Sequence, residues 1–248
     1  MMETQVASKS PQVKSWFENP NQYLQRRNFD IRIRLETVQG FTKGATFGRV
    51  LDIGCGDGSI SLPLLPRSQK VTLLDVSSSM LAIARTNIPA DRAEDVELIN
   101  ASFLSANLEP QSFDLILCIG VLAHVDSPED FVAALSRIAK PGACIILEFT
   151  DSKHWWGIPD FVYRQILRLI RPDPYALNSL NNRYVMDLCR ENNLVPDATY
   201  RYGLPPAGTH MVATQDDMYR LTRYLFGTWE QNRNTRMGNE FIYRLKKN

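Results

Sequence analysis

Apolar residues fall along the chain in short dense runs separated by amphipathic stretches. Arg49–Ile53, Lys70–Asp75, Val96–Ala101, Phe113–Ile119 and Ala143–Phe149 read as buried strands, each bounded by glycine, proline, serine or acidic residues. Between them the apolar period lengthens. Ser59–Leu65 reads as a short helix with Pro63 near its start, and Ser77–Ser79 offer caps for a second running to Asn87. Ser127-Pro128-Glu129-Asp130 opens a third, whose buried face is Phe131, Leu135 and Ile138 and which Pro141-Gly142 ends. Beyond Thr150 the pattern predicts helices over Ile158–Ile170, Asn181–Asn192 and Asp216–Trp229, and strands over Pro196–Tyr202 and Glu240–Leu245. Strand alternating with helix argues for a mostly parallel sheet covered on both faces.

The fold class expected is therefore α/β: a doubly wound, mostly parallel seven-stranded sheet with an antiparallel last strand and helical lid segments. The 248 residues fit a single domain. We divide it into an N-terminal helical cap (1–47), a cofactor-binding core (48–150) and a substrate cap with the final strands (151–248).

The clearest chemical signal is Val50-Leu51-Asp52-Ile53-Gly54-Cys55-Gly56-Asp57-Gly58, a strand running into a glycine-rich turn that opens a helix. Glycine permits a sharp turn and close backbone approach to a ligand. Asp75 follows at the next strand end, nineteen residues after Gly56, where an acid accepts hydrogen bonds from ribose hydroxyls. Turn and acid in this order point to a nucleoside cofactor. A dinucleotide site needs its third glycine at position 59, which is Ser59. Asp52, just ahead of the glycines, is a poor neighbour for a pyrophosphate but suits the cationic end of S-adenosylmethionine.

Over Arg49–Thr150 the chain resembles the class I, Rossmann-like S-adenosylmethionine-dependent methyltransferases of the small-molecule subgroup. Val50–Gly58 is similar to the first motif of that family. Phe113–Cys118 resembles its fourth-strand motif, Gly120–Val125 its loop beside the methyl group, and Lys140–Ala143 its turn before the fifth strand. The resemblance implies that Asp52, Gly54 and Gly56 cradle the methionine moiety and Asp75 the ribose, with Cys55 a further cofactor-binding candidate. It also implies that Val76 and Phe103 flank adenine and that Ile119 lies beside the sulfonium, with S-adenosylhomocysteine as product. Ser102 stands where many relatives carry an aspartate for the adenine amine. Tyr23 and Arg27 are further candidates for sealing the cofactor.

Methyl transfer needs alignment and exclusion of water more than a catalytic triad. His124, in the post-strand loop, and His210, in a Gly/Pro-rich stretch, are the candidate proton acceptors. Trp155 and Trp156 leave the fifth strand at the ligand-binding edge and are candidates for the acceptor site. The acceptor expected is a small, partly apolar metabolite, methylated on oxygen or nitrogen.

Composition narrows the alternatives. Lys and Arg number 28 against 27 acidic residues, so the basic excess of a nucleic-acid binder is missing. The four cysteines form no C-x-x-C pair and the three histidines are scattered, so no metal site is expected. No apolar run approaches the ~20 residues of a membrane span, and a cytoplasmic location is expected. An RNA or protein methyltransferase, or a fold repurposed for a reaction other than methyl transfer, remains the competing reading. Oligomeric state is open.

Overall fold

The computed structural model describes residues 10–17, 28–158, 177–203, 209 and 213–248. Seven strands form one sheet: β1 (Phe47–Ile53), β2 (Ser68–Asp75), β3 (Val96–Asn100), β4 (Phe113–Cys118), β5 (Ala139–Thr150), β6 (Leu194–Tyr202) and β7 (Glu240–Lys247). Their order is β3-β2-β1-β4-β5-β7-β6. β3 to β5 pair in parallel through β1, while β7 runs antiparallel to both β5 and β6. This is the expected sheet, antiparallel last strand included.

Strand alternation sorts the core into two layers. Ile116, Cys118, Ile145 and Leu147 point to one face, packed with α4 (Pro128–Ile138) and α5 (Asn182–Glu191). Leu115, Leu117, Ile119 and Ile146 point to the other, packed with α2 (Asn28–Phe41), α3 (Ser78–Asn87) and α6 (Gln215–Phe226). The short α1 (Ser10–Phe17) precedes them. At the amino-terminal edge Asp114 accepts from the Arg49 amide and from Lys140 Nζ, both at 2.7 Å, tying β1, β4 and β5 together.

Helix ends follow local chemistry. Ser77, Ser127 and Asn181 accept from the backbone amides of Met80, Asp130 and Tyr184 at the starts of α3, α4 and α5. Thr214 and Asp217 form a capping box on α6.

Three expectations are corrected. Ser59–Leu65 is not an α-helix; the segment holds a 3-10 turn over Leu62–Arg67, with Pro63 and Pro66 withholding the amides that a helix would need. The sixth helix stops at Phe226 rather than Trp229, because Gly227 adopts φ +70. β5 begins at Ala139, so Pro141-Gly142 lies inside the strand, where its register against β4 shifts. The helix expected over Ile158–Ile170 lies almost wholly outside the described residues.

Candidate active site

β1 is the topological switch point, with β2 on one side and β4 on the other. In open α/β sheets ligands bind beyond the carboxyl ends of the strands at such a point. β1 ends at Ile53, and the chain turns through Gly54 (φ +67) and Gly56 (φ +55), backbone angles that side chains disfavour. The Gly54 and Cys55 amides donate to the Leu74 carbonyl at 2.8 and 3.2 Å, holding the turn against β2. A Cβ on Gly54 would lie 2.5 Å from Val121 Cγ2, whereas one on Gly56 would meet nothing within 4 Å.

Asp75 ends β2 beside this turn. One carboxylate oxygen accepts from the Gly56 amide at 2.9 Å and the other from the Ser77 amide at 2.8 Å. The two amides orient the carboxylate at the end of β2.

Turn and acid open onto a cavity of about 150 Å³. Gly54, Gly56, Asp75 and Val76 form one wall. Ser102, Phe103 and Leu104, after β3, form the second, and Ile119, Gly120, Val121 and His124, after β4, the third. Phe103 is buried and packs edge-on against Phe131 at 4.8 Å, which fixes its ring. Ser102 Oγ is 2.8 Å from Ser105 Oγ.

Eight of the expected residues thus share one cleft: Gly54, Gly56, Asp75, Val76, Ser102, Phe103, Ile119 and His124. Asp52 and Cys55 do not line it. Both are buried behind the turn, because β1 alternation and the inward bend point their side chains into the core. Burial and the nearby charges of Asp75 and Asp57 push the Asp52 carboxyl up to about 7. Burial likewise pushes the Cys55 thiol up, which makes it unreactive. Trp155 is 54% exposed and is not among the cleft residues. Tyr23, Arg27 and His210 lie outside the described residues, as does the side chain of Trp156.

The structure adds residues that the pattern did not single out. Val13 of α1 and Met80 of α3 reach the cleft. Asn178 holds the loop carrying His124, donating from its amide to Ala123 O at 2.9 Å and from its side chain to Val125 O at 2.7 Å. No local signal marks an asparagine that works across 53 residues of sequence.

The lining fits an adenosyl cofactor: an oriented acid, two side-chain-free glycines and flat apolar walls. Among the described residues no helix is long and apolar enough to cross a membrane.

Comparison with known proteins agrees with this geometry. Residues 51–147 match the family described as "Methyltransferase domain", which covers the glycine turn, Asp75 and the β4 loop. The ubiquinone biosynthesis O-methyltransferase of Idiomarina loihiensis is 30% identical over 142 residues, 57% of this chain and 58% of that one. The chain spans 40–60% of the length of such curated relatives. A Thermotoga maritima S-adenosylmethionine-dependent methyltransferase, described as a possible histamine N-methyltransferase, superposes with TM-score 0.67 at 16% identity, covering 97% of this chain and 100% of that one. The magnesium protoporphyrin IX methyltransferase of Synechocystis, crystallised with S-adenosylhomocysteine, gives 0.64 at 17%, with the same coverage. The fold is shared with these class I, Rossmann-like methyltransferases, and residues 51–147 are similar to a methyltransferase domain.

Proposed function

We propose that the chain is an S-adenosylmethionine-dependent methyltransferase acting on a small, partly apolar metabolite. The observation that carries this reading is the single cleft in which the Gly54–Gly56 turn, the oriented Asp75 and the apolar Phe103 and Ile119 meet His124. Bound there, the cofactor supplies a methyl group already activated by its sulfonium. The chain's own residues then have three tasks. Asp75 and the glycine turn hold the adenosyl and methionine parts, with Ser102 facing adenine. Ile119, Gly120 and Val121 shape the wall beside the methyl and exclude water. His124, which lines the cleft after β4, takes the proton of a hydroxyl or amine acceptor.

The match to ubiquinone biosynthesis O-methyltransferases favours a small-molecule acceptor over RNA or protein, and the near-zero net charge agrees. We read residues 1–47 as a helical cap, 151–248 as a substrate cap together with the final strands of the sheet, and the cytoplasm as the compartment. Calorimetry with S-adenosylmethionine and with NADH tests the cofactor. Micromolar binding of the first, weakened at least tenfold by Asp75→Ala, is expected. Tight NADH binding with no response to S-adenosylmethionine refutes the reading. Labelled-methyl transfer to a metabolite panel tests the acceptor class, and His124→Gln is expected to lower turnover while leaving cofactor affinity within twofold.

A further inference from the structure

Beyond the cleft, at the carboxyl ends of β5 and β6 and the amino end of β7, the sheet carries polar groups where a core is expected to be apolar. Glu148 of β5 is fully buried, and Glu240 of β7 and Tyr202 of β6 are 2% and 0% exposed. Register places them on one face. Thr150 pairs with Glu240 and Tyr202 pairs with Glu240, and Glu148 lies two residues from Thr150. That face is covered by α2, which brings in buried Asp30 and Arg34. Arg34 Nε donates to Glu148 Oε1 at 2.8 Å and its Nη2 is 3.2 Å from Asp30. The Tyr202 hydroxyl lies 2.6 Å from Asp30 Oδ1 and 3.0 Å from Glu148 Oε1.

The accounting does not close. Glu240 Oε2 accepts from Thr150 Oγ1 at 3.0 Å, but among the described residues Glu240 Oε1 and Glu148 Oε2 have no hydrogen-bond partner, though both atoms are buried. Among the described residues Glu240 has no ion-pair partner either. An unsatisfied buried polar atom costs about 1–3 kcal/mol, and more when charged. Two at one place are uncommon in a core and call for an explanation such as a ligand. Burial and the facing Glu148 and Asp30 charges push the Glu240 carboxyl up to about 8.

The cluster adjoins the cleft. A Cβ on Gly120, which lines the cleft beside Ile119, would stand 3.4 Å from Arg34 Nη2. Glu148, held by Arg34, therefore lies one side chain behind the wall assigned above to the methyl-transfer region, and Glu240 stands diagonal to it across the β5–β7 pair. As diagonal neighbours across a strand pair, about 7–8 Å apart at the backbone, long side chains of this kind can share one ligand atom. Among the described residues no group of three or more His, Cys, Asp or Glu is placed to hold a metal ion.

We propose that Glu148 and Glu240 form the acceptor subsite of this enzyme and that it takes the protonated amine of an amine-bearing metabolite. The inference rests on the methyltransferase reading and selects among its acceptors. An ammonium brings up to three N–H donors and one positive charge, matching two vacant oxygens and a carboxyl without a cation. A neutral alcohol brings one donor and no charge.

The test uses the full chain saturated with S-adenosylhomocysteine and two probes that share a ring and differ at the head, 2-phenylethylamine and 2-phenylethanol. Calorimetry is expected to show the amine at least tenfold tighter. Glu240→Gln and, separately, Glu148→Gln are expected to bring that ratio near one while S-adenosylhomocysteine affinity stays within twofold. Equal binding of the two probes, binding of neither, or an amine preference that persists in both variants overturns the subsite. Failure of wild-type protein to bind S-adenosylhomocysteine instead refutes the methyltransferase reading, and the two failures are thereby told apart.

Discussion

Asp52 is a buried acid whose cost in stability Asp52→Asn removes. The carboxyl is 3% exposed behind the glycine turn. Burial, reinforced by Asp75 and Asp57, raises it from 3.8 to about 7. A gap of about three units at ~1.4 kcal/mol each amounts to on the order of 4 kcal/mol. The sign follows from proton uptake. Between pH 4 and 7 the unfolded chain has lost this proton and the folded chain keeps it, so stability falls as pH rises through that window and levels off above it. Asparagine cannot ionise and escapes the loss. The variant without ligand is expected to match wild type near pH 4 and to exceed it at pH 8 by up to about 4 kcal/mol, the ceiling set by that gap. Other raised groups, Glu240 included, are common to both proteins and cancel in the difference. Urea denaturation at pH 4, 6 and 8 measures it. A variant no more stable than wild type at pH 8, or a difference that does not shrink as pH falls, refutes the reasoning.

Two glycines yield opposite expectations. Gly40, near the end of α2, is a place where alanine ordinarily stabilises a helix by about 1 kcal/mol. Here its Cβ would stand 1.9 Å from Trp229 Nε1, so Gly40→Ala is expected to destabilise by about 1–3 kcal/mol in urea melts. A more stable variant refutes that packing. Gly56→Ala has open space but φ +55. It is expected to cost about 1–2 kcal/mol of backbone strain and to reduce cofactor affinity at least tenfold by calorimetry, with circular dichroism unchanged. Normal affinity would show that the turn does not touch the ligand.

Cofactor chemistry is written locally. A strand, a glycine turn and an acid at the next strand end are consecutive features, so Asp52–Gly58 and Asp75 were readable in order, as were the caps at Ser77 and Ser127. Residues meeting across the sheet were not. Sequence order cannot show that Asn178 holds the His124 loop or that Val13 reaches the cleft, since neither contact has a local period. Trp155 follows β5 at the ligand-binding edge, yet it is not among the cleft residues. Its exposed side chain shows that strand position sets the edge but not the direction of a side chain beyond it.

Glu148 and Glu240 make the same point more sharply. Each occurs in a run that alternates well enough to predict a strand, and nothing in either run distinguishes a glutamate facing solvent from one facing the core. Burial arises only when β5 and β7 pair antiparallel, β6 adds Tyr202 on the same face and α2 closes over them. Pairing and packing between distant segments decide which polar groups lose water. The periodicity of a single segment determines only that it becomes a strand or a helix, because backbone geometry repeats locally and desolvation does not.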